Sequence, residues 1–344
     1  MRENRLPGWD YDCLAAFVGR LYGVDRREVR LEVKPMRGGL VAAGVGLVRA
    51  SWTDGAMRAR ITQFVCKWSA AEGERELAAY SALQALADRG IAPRLLGQDP
   101  AKGGGYYLYL ENIRPWKRWP WRDTDLAASV LERLAWLHSN VPCSALEPVP
   151  TWDYEAELLW SAHATLESCE AAVQRPDLNY LRAFLPPLRR MVMRLVELRQ
   201  QLLAESPPVV LHGDAHPSNA MVRLHRQAQN AILIDWGRTR VGAGLEDTAS
   251  WLQSLGFWEP EARRRHDTLL RRYLAARGLS THLSSRLRDP YWIAGASNAM
   301  AGALRYHLTL AQSEQSSIGQ RATSSRAARD WLRVVRRADA CVRN

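Results

Sequence analysis

Asp214 stands five residues before Asn219, and Asp235 closes the apolar run 231–234. This is a set of oxygen-bearing side chains laid out for phosphoryl transfer. A carboxylate beside an acceptor hydroxyl orients it and takes its proton, the role open to Asp214. A hard cation on ATP phosphates prefers oxygen ligands from a carboxylate and an amide, which Asp235 and Asn219 would give to Mg²⁺. The plainer reading is that Asp214 and Asn219 only build a tight turn, as Asp and Asn do widely.

The stretch Leu211-His212-Gly213-Asp214-Ala215-His216-Pro217-Ser218-Asn219, followed by Ile234-Asp235-Trp236-Gly237, resembles the HGD-x4-N and D-[FW]-G brackets of the aminoglycoside phosphotransferase and choline kinase family. These are small-molecule relatives of the protein kinases, which carry Arg where Gly213 stands. The resemblance implies an α+β, protein-kinase-like two-lobed fold. Residues 1–113 would form an N-terminal nucleotide-binding lobe, a small antiparallel sheet with one helix behind a leading N-terminal helix. Residues 114–344 would form a larger, mainly helical catalytic and substrate-binding lobe.

Lys67 then looks like the strand lysine that pairs with the α- and β-phosphates of ATP, with Glu76 as its counter-ion and Glu72 and Glu74 as alternatives. Gly38 and Gly39 would lie in the hairpin over the phosphates, where glycine lets backbone N–H groups approach closely. Backbone groups near Leu110–Asn112 would meet adenine. His212 and His216 would shape the catalytic loop, and Asp247 would brace it from the following helix. Thr248 replaces the family's Leu after that Asp, and Trp236 replaces the Phe of the protein-kinase motif. The implied activity is ATP- and Mg²⁺-dependent phosphorylation of a hydroxyl on a small molecule such as an antibiotic, sugar or amino alcohol. No Ala-Pro-Glu-like segment follows Asp235, which disfavours protein substrates.

The elements that must place these residues are legible in the periodicity. A short amphipathic helix is expected over 10–22, with Asp10 as N-cap. Apolar and charged residues alternate through 29–36, 45–52 and 58–68, which predicts a β-meander, and Lys67 falls inside its apolar third strand. A lysine there is costly unless paired; an edge lysine guarding against aggregation is the competing explanation. A helix follows over 71–89, ended by Gly90, with Glu76, Tyr80 and Leu83 on one face. The run 106–113 is β-prone. Helices are expected over 125–139, 152–170, 178–204, 245–256, 259–277, 284–312 and 320–340. Short strands are expected over 209–211, 220–224 and 231–234.

With 344 residues and 47% hydrophobic content the chain can bury a sizeable core. No run nears the roughly 18 apolar residues of a membrane span, and the opening residues lack a secretory pattern. Five scattered cysteines without a CxxC pair read as reduced thiols in a cytosol, with no zinc site. The net charge of +11 is concentrated late, since residues 259–344 hold sixteen Arg against seven acidic residues. An anionic substrate, a nucleic-acid or ribosome contact, and a solvated Arg-rich helical surface all fit this balance. Spacing of the Arg through helical patterns favours the solvated surface. Trp116, Trp119 and Trp121 would either cage a cationic or sugar ligand or pack internally, and packing is the expectation. The acidic residues among 152–157 would face substrate amines or serve the helix dipole.

Two functional readings follow. One is a small-molecule kinase. The other is a catalytically weak, kinase-fold regulatory module that binds nucleotide and an anionic partner.

Overall fold

The computed structural model describes residues 9–36, 44–69, 73–102, 104–115, 117–225 and 228–343. Two compact units divide the chain. One is Met1–Trp116 with Ala145–Pro150 and Arg223–Arg238; the other is Lys117–Ser144, Thr151–Val222 and Thr239–Asn344. Asp235 thus belongs to the unit that holds Lys67, while Asp214 and Asn219 belong to the other.

The first unit begins with helix α1 (Tyr11–Tyr22), where Asp10 caps the free N–H of Cys13 at 3.1 Å. The meander follows as β1 (Arg30–Met36), β2 (Gly44–Thr53) and β3 (Ala59–Ser69). Next come α2 (Glu74–Ala82), α3 (Gln84–Asp88), β4 (Leu95–Pro100) and β5 (Tyr106–Glu111). The sheet order is β1-β2-β3-β5-β4, antiparallel throughout. Helix α1 packs Leu14, Phe17 and Val18 against Val48, Phe64 and Tyr109, and Phe17 stacks on Tyr109 at 3.8 Å between centroids. Edge strand β4 passes close under that ring: a Cβ on Gly97 would come within 2.8 Å of Phe17, so only glycine fits.

Two expectations need correction here. The single helix over 71–89 is two helices, because Leu83 leaves helical geometry at φ −104°, ψ 25°. Strand β4 was not anticipated. Its Gly97, Asp99 and Pro100 are poor strand formers, and a sheet edge tolerates them because one side of the ladder needs no partner. Gly38, Gly39, Glu72 and Trp116 lie outside the described residues.

Downstream run α4 (Thr124–Asn140), α5 (Tyr154–Ala172), α6 (Leu185–Glu205), β6 (Val209–Leu211), β7 (Ala220–His225) and β8 (Ala228–Leu233). After them come β9 (Arg240–Gly242), α7 (Gly244–Trp258), α8 (His266–Ala276), α9 (Ser285–Asn298), α10 (Leu304–Gln312) and α11 (Ile318–Arg343). Strands β6 and β9 pair antiparallel, Val210 opposite Val241, and β7 pairs with β8. The helical core interleaves Leu158, Leu188, Leu195, Leu308, Leu332 and Val335.

Three long helical expectations are broken. In 259–277 a tight turn, Pro260–Arg265, precedes α8. In 178–204 a tight turn, Asn179–Phe184, precedes α6, whose first turn accepts Pro186 and Pro187 because those N–H groups have no helical partner. In 284–312 a wide turn at Ala299–Ala303 separates α9 from α10, with Gly302 at φ 142°. Among the described residues no helix is long and apolar enough to cross a membrane.

Candidate active site

Lys67 sits on β3 opposite Val45 and Leu108, and its side chain is only 12% exposed. It finds two carboxylates: Glu76 of α2 at 2.7 Å and Asp235 at 2.9 Å. Burial pulls the Lys67 pKa down, but these two anions outweigh it and hold the ammonium above the usual lysine range. Glu76 is itself buried, a position a carboxylate occupies stably only when paired. Tyr80 and Leu83, on the same face as Glu76, are buried with it, whereas Glu74 is exposed.

Asp235 adopts φ +66°, a left-handed conformation that Asp and Asn enter more readily than other non-glycine residues. Such strain persists where the surroundings over-determine it. The neighbouring Trp236 is buried and donates its Nε1–H to Leu233 O at 3.1 Å.

Leu110 is buried in β5 between Val65 and Leu95. The strand ends at Glu111, so the chain leaves the sheet at Asn112, whose amide donates to Gln63 Oε1 at 3.4 Å.

In the second unit, a tight turn at Pro217–Asn219 folds the loop after β6 back on itself. Asn219 Nδ2 donates to the Asp214 carboxylate at 2.9 Å and to its main-chain oxygen at 3.1 Å. The Asp214 side chain stays 39% exposed, which leaves it open to a substrate. His212 is fully buried, and its Nδ1 accepts from the Asp214 N–H at 3.2 Å. His216 Nδ1 accepts from the Ser218 N–H at 3.2 Å. Both imidazoles therefore hold loop peptides, and His216 Nε2 also lies 3.5 Å from Asp214 Oδ2.

Asp247 of α7 takes the N–H of His212 on Oδ2 at 2.7 Å and that of Gly213 on Oδ1 at 2.9 Å. Burial pushes its pKa up, but the hydrogen bond from His138 and nearby positive charge hold it below the usual carboxylate range. His138 Nε2 lies 3.1 Å from Asp247 Oδ2, and Nδ1 lies 2.9 Å from Tyr273 OH. Burial lowers the His138 pKa, so the ring is neutral and carries one proton. An ionised Asp247 only accepts, which puts that proton on Nε2 and makes Nδ1 the acceptor for Tyr273 OH. Arg277 donates to the same hydroxyl at 3.2 Å. The chain Arg277–Tyr273–His138–Asp247 thus ends on two peptide N–H groups immediately before Asp214.

Gly213 is held on its other side as well. Arg240 Nη1 donates to Gly213 O at 3.2 Å, and Nη2 donates to the buried Glu246 at 2.6 Å. The guanidinium lies 3.8 Å above the Tyr154 ring. Trp121 Nε1 reaches Pro217 O at 3.2 Å, and its ring packs edge-on to Trp251. Trp119 hydrogen-bonds Glu259 and lies edge-on to Trp258. Both described tryptophans of the post-strand cluster are therefore packed, and Trp121 supports the loop.

Each unit carries an oxygen donor of the kind Mg²⁺ takes. Asp235 offers a carboxylate that is 36% exposed. Asn219 spends its amide nitrogen on Asp214, so its side-chain carbonyl oxygen is the atom it can offer to a cation. Mg²⁺ is commonly held by one or two such oxygens together with substrate phosphates. Among the described residues no group of three or more His, Cys, Asp or Glu is placed to cage a metal.

Sequence reasoning missed His138, Tyr273, Arg240 and Glu246 as supports of the loop. His138 and Tyr273 are 135 positions apart, beyond the reach of periodicity. Arg240 lies in a charged run that reads as surface, although it is buried.

No curated protein matches the chain. Among solved structures, it is similar to the GDP complex of aminoglycoside 2′-phosphotransferase-IIIa, at 14% identity and TM-score 0.57, covering 96% of this chain and 99% of that one. Choline kinase from Cryptosporidium parvum Iowa II gives 12% identity and TM-score 0.58, with 95% and 96% covered. Plasmodium vivax ethanolamine kinase gives 13% identity and TM-score 0.57, with 94% and 96% covered. These likenesses show the fold, which is protein-kinase-like. The sequence profile of the phosphotransferase enzyme family matches residues 47–288, more than half of the chain, and the chain belongs to that family.

Proposed function

We propose that this phosphotransferase transfers the γ-phosphoryl group of Mg·ATP to a hydroxyl of a small molecule. The observation that carries the reading is the Asp214 carboxylate. It is exposed and held by Asn219, in a loop whose preceding peptide groups are fixed by Asp247 and Arg240. In the reaction the acceptor oxygen bonds to the γ-phosphorus as the β–γ bridging bond breaks. The hydroxyl proton goes to Asp214, and ADP leaves. Lys67 sets its ammonium on the α- and β-phosphates, and Glu76 keeps it charged and aimed. Asn219 and Asp235 would each offer an oxygen ligand to Mg²⁺, which would supply charge neutralisation to the phosphates. Backbone groups near Leu110–Asn112 take adenine.

A neutral or anionic hydroxylated acceptor fits better than a polycation, although relatives of this fold include an aminoglycoside phosphotransferase. The acidic residues at the start of α5 are already engaged: Asp153 caps the helix, Glu155 pairs with Arg199, and Glu157 accepts from Trp152.

ADP release from Mg·ATP with pooled cationic, neutral and anionic acceptors tests the proposal, with Asp214→Asn as blank. One pool raising release in the wild type alone is the expected result. Release from no pool, with ATP still bound, is what the regulatory module requires instead.

A further inference from the structure

Helix α11 carries Arg326, Arg329, Arg333 and Arg336 at steps of three, four and three residues, and all four side chains are exposed. That step keeps them on one face of the helix. Arg337 and Arg343, also exposed, extend the row to about 25 Å at the helical rise. The acidic residues of α11 do not neutralise it, because each is shared. Asp330 bridges Arg333 and Arg263, and Asp339 bridges Arg343 and Arg190.

Three guanidiniums of the row lie over aromatic rings. Arg329 is 5.8 Å from the Tyr180 centroid, Arg336 is 5.1 Å from Phe184, and Arg337 is 4.6 Å from Trp292. Tyr180 is itself tied to α11 through Ser325 O at 3.2 Å. A ring face positions a guanidinium without neutralising it, so its planar fork stays available for a phosphate.

We propose that this face of α11 binds the phosphate backbone of a nucleic acid, without reading its sequence. A row of positive charge on a rigid rod complements a regular line of phosphates, and charge of this kind alone supports non-specific binding. A lipid surface fits less well. An interfacial helix inserts an apolar face beside its cationic one, whereas the apolar face of α11, with Ala328, Leu332 and Val335, is buried in the helical core. The proposal is independent of the acceptor substrate and of turnover.

The test is fluorescence anisotropy of the full chain with a short labelled RNA duplex, its DNA counterpart, and phosphatidylglycerol vesicles, over a salt series. Engagement of four to five phosphates gives a slope of log K against log salt of about −4. The fourfold variant Arg326→Gln, Arg329→Gln, Arg336→Gln, Arg337→Gln should flatten that slope and weaken low-salt binding about a hundredfold, with ADP release unchanged. The matching Lys variant should keep the slope. If the fourfold Gln variant does not fold, Arg326→Glu and Arg329→Glu taken singly should each lower the slope by about one contact. Equal binding by wild type and the Gln variant, a slope that survives the charge loss, or binding to vesicles but to neither duplex would each overturn the proposal.

Discussion

Asp247 and Gly213 meet through a hydrogen bond of 2.9 Å from the Gly213 peptide N–H to Oδ1, while the other carboxylate oxygen takes the N–H of His212. Two consecutive peptide donors on one buried carboxylate fix the chain direction immediately before Asp214. Helix α7 therefore sets the aim of a side chain 33 positions earlier in sequence.

Asp247→Asn cannot reproduce this. One amide oxygen replaces two acceptors, and the NH₂ group faces an N–H donor. We expect kcat to fall 10- to 100-fold with nucleotide affinity within about twofold, and stability to drop by about 2–3 kcal/mol for the unsatisfied buried groups. Steady-state kinetics, nucleotide titration and urea unfolding measure the three effects. Unchanged kcat would show that Asp247 has no part in positioning Asp214.

Arg240→Lys should behave differently from Arg240→Met. A lysine keeps the charge beside Glu246 but lacks the fork that reaches Gly213 O at the same time. We expect the Lys variant to retain most stability while kcat falls about tenfold. The Met variant, leaving the buried Glu246 with the more distant Arg199 at 3.9 Å and the Ala243 N–H, should lose about 3 kcal/mol of stability. Adding Glu246→Gln to Arg240→Met should recover part of that stability without recovering kcat.

Lys67 and Glu76 form a pair in which removing one partner strands the other. Lys67→Met should destabilise the fold, and Lys67→Met with Glu76→Gln should be more stable than the single variant. Neither should recover ATP turnover. Thermal unfolding beside ADP release separates the two roles, and turnover in the double variant would remove Lys67 from the phosphate site.

His307 gives the fold an acid-sensitive element. Burial alone brings its pKa down to about 4, and its Nδ1 is buried without a partner among the described residues. Because the folded value is depressed, the unfolded chain takes up the proton first as pH falls. The stabilising contribution is full above about pH 6.5 and is lost progressively toward pH 4. At most about 3 kcal/mol is at stake, less in proportion to the solvent the ring retains. His307→Phe, beside Phe257 and Tyr306, should flatten stability against pH across that window. An unchanged profile in urea unfolding at pH 7, 6 and 5 would place the acid sensitivity elsewhere.

The meander was legible because strand alternation is local; the pairing of Lys67 was implied by the family resemblance, and only the choice of Glu76 rested on the helix face. Strand alternation and a helix face are set by neighbours two to four residues away. What was not legible depends on distant partners. Strand β4 is a strand because β5 pairs with it, despite Pro100 and Asp99. His138 reads as an ordinary helix residue until Tyr273 and Asp247 are brought to its two nitrogens. Arg240 follows the same rule: its sequence context is that of a surface residue, and only Tyr154 and Glu246 make it internal. The helix expected over 284–312 broke at Gly302, a residue whose freedom signals a possible break without showing that one is used.

The left-handed backbone of Asp235 changes what a deletion experiment at that position reports. Alanine, the habitual choice, would remove the carboxylate and also a side chain better able to tolerate φ +66°, so a backbone cost of about 1 kcal/mol or more would be mixed with the loss of the proposed metal ligand. Asparagine keeps the conformation within reach and changes only the charge, whereas glycine relieves the backbone and removes the ligand. The difference between Asp235→Gly and Asp235→Ala reads the strain, and the difference between Asp235→Asn and wild type reads the anion.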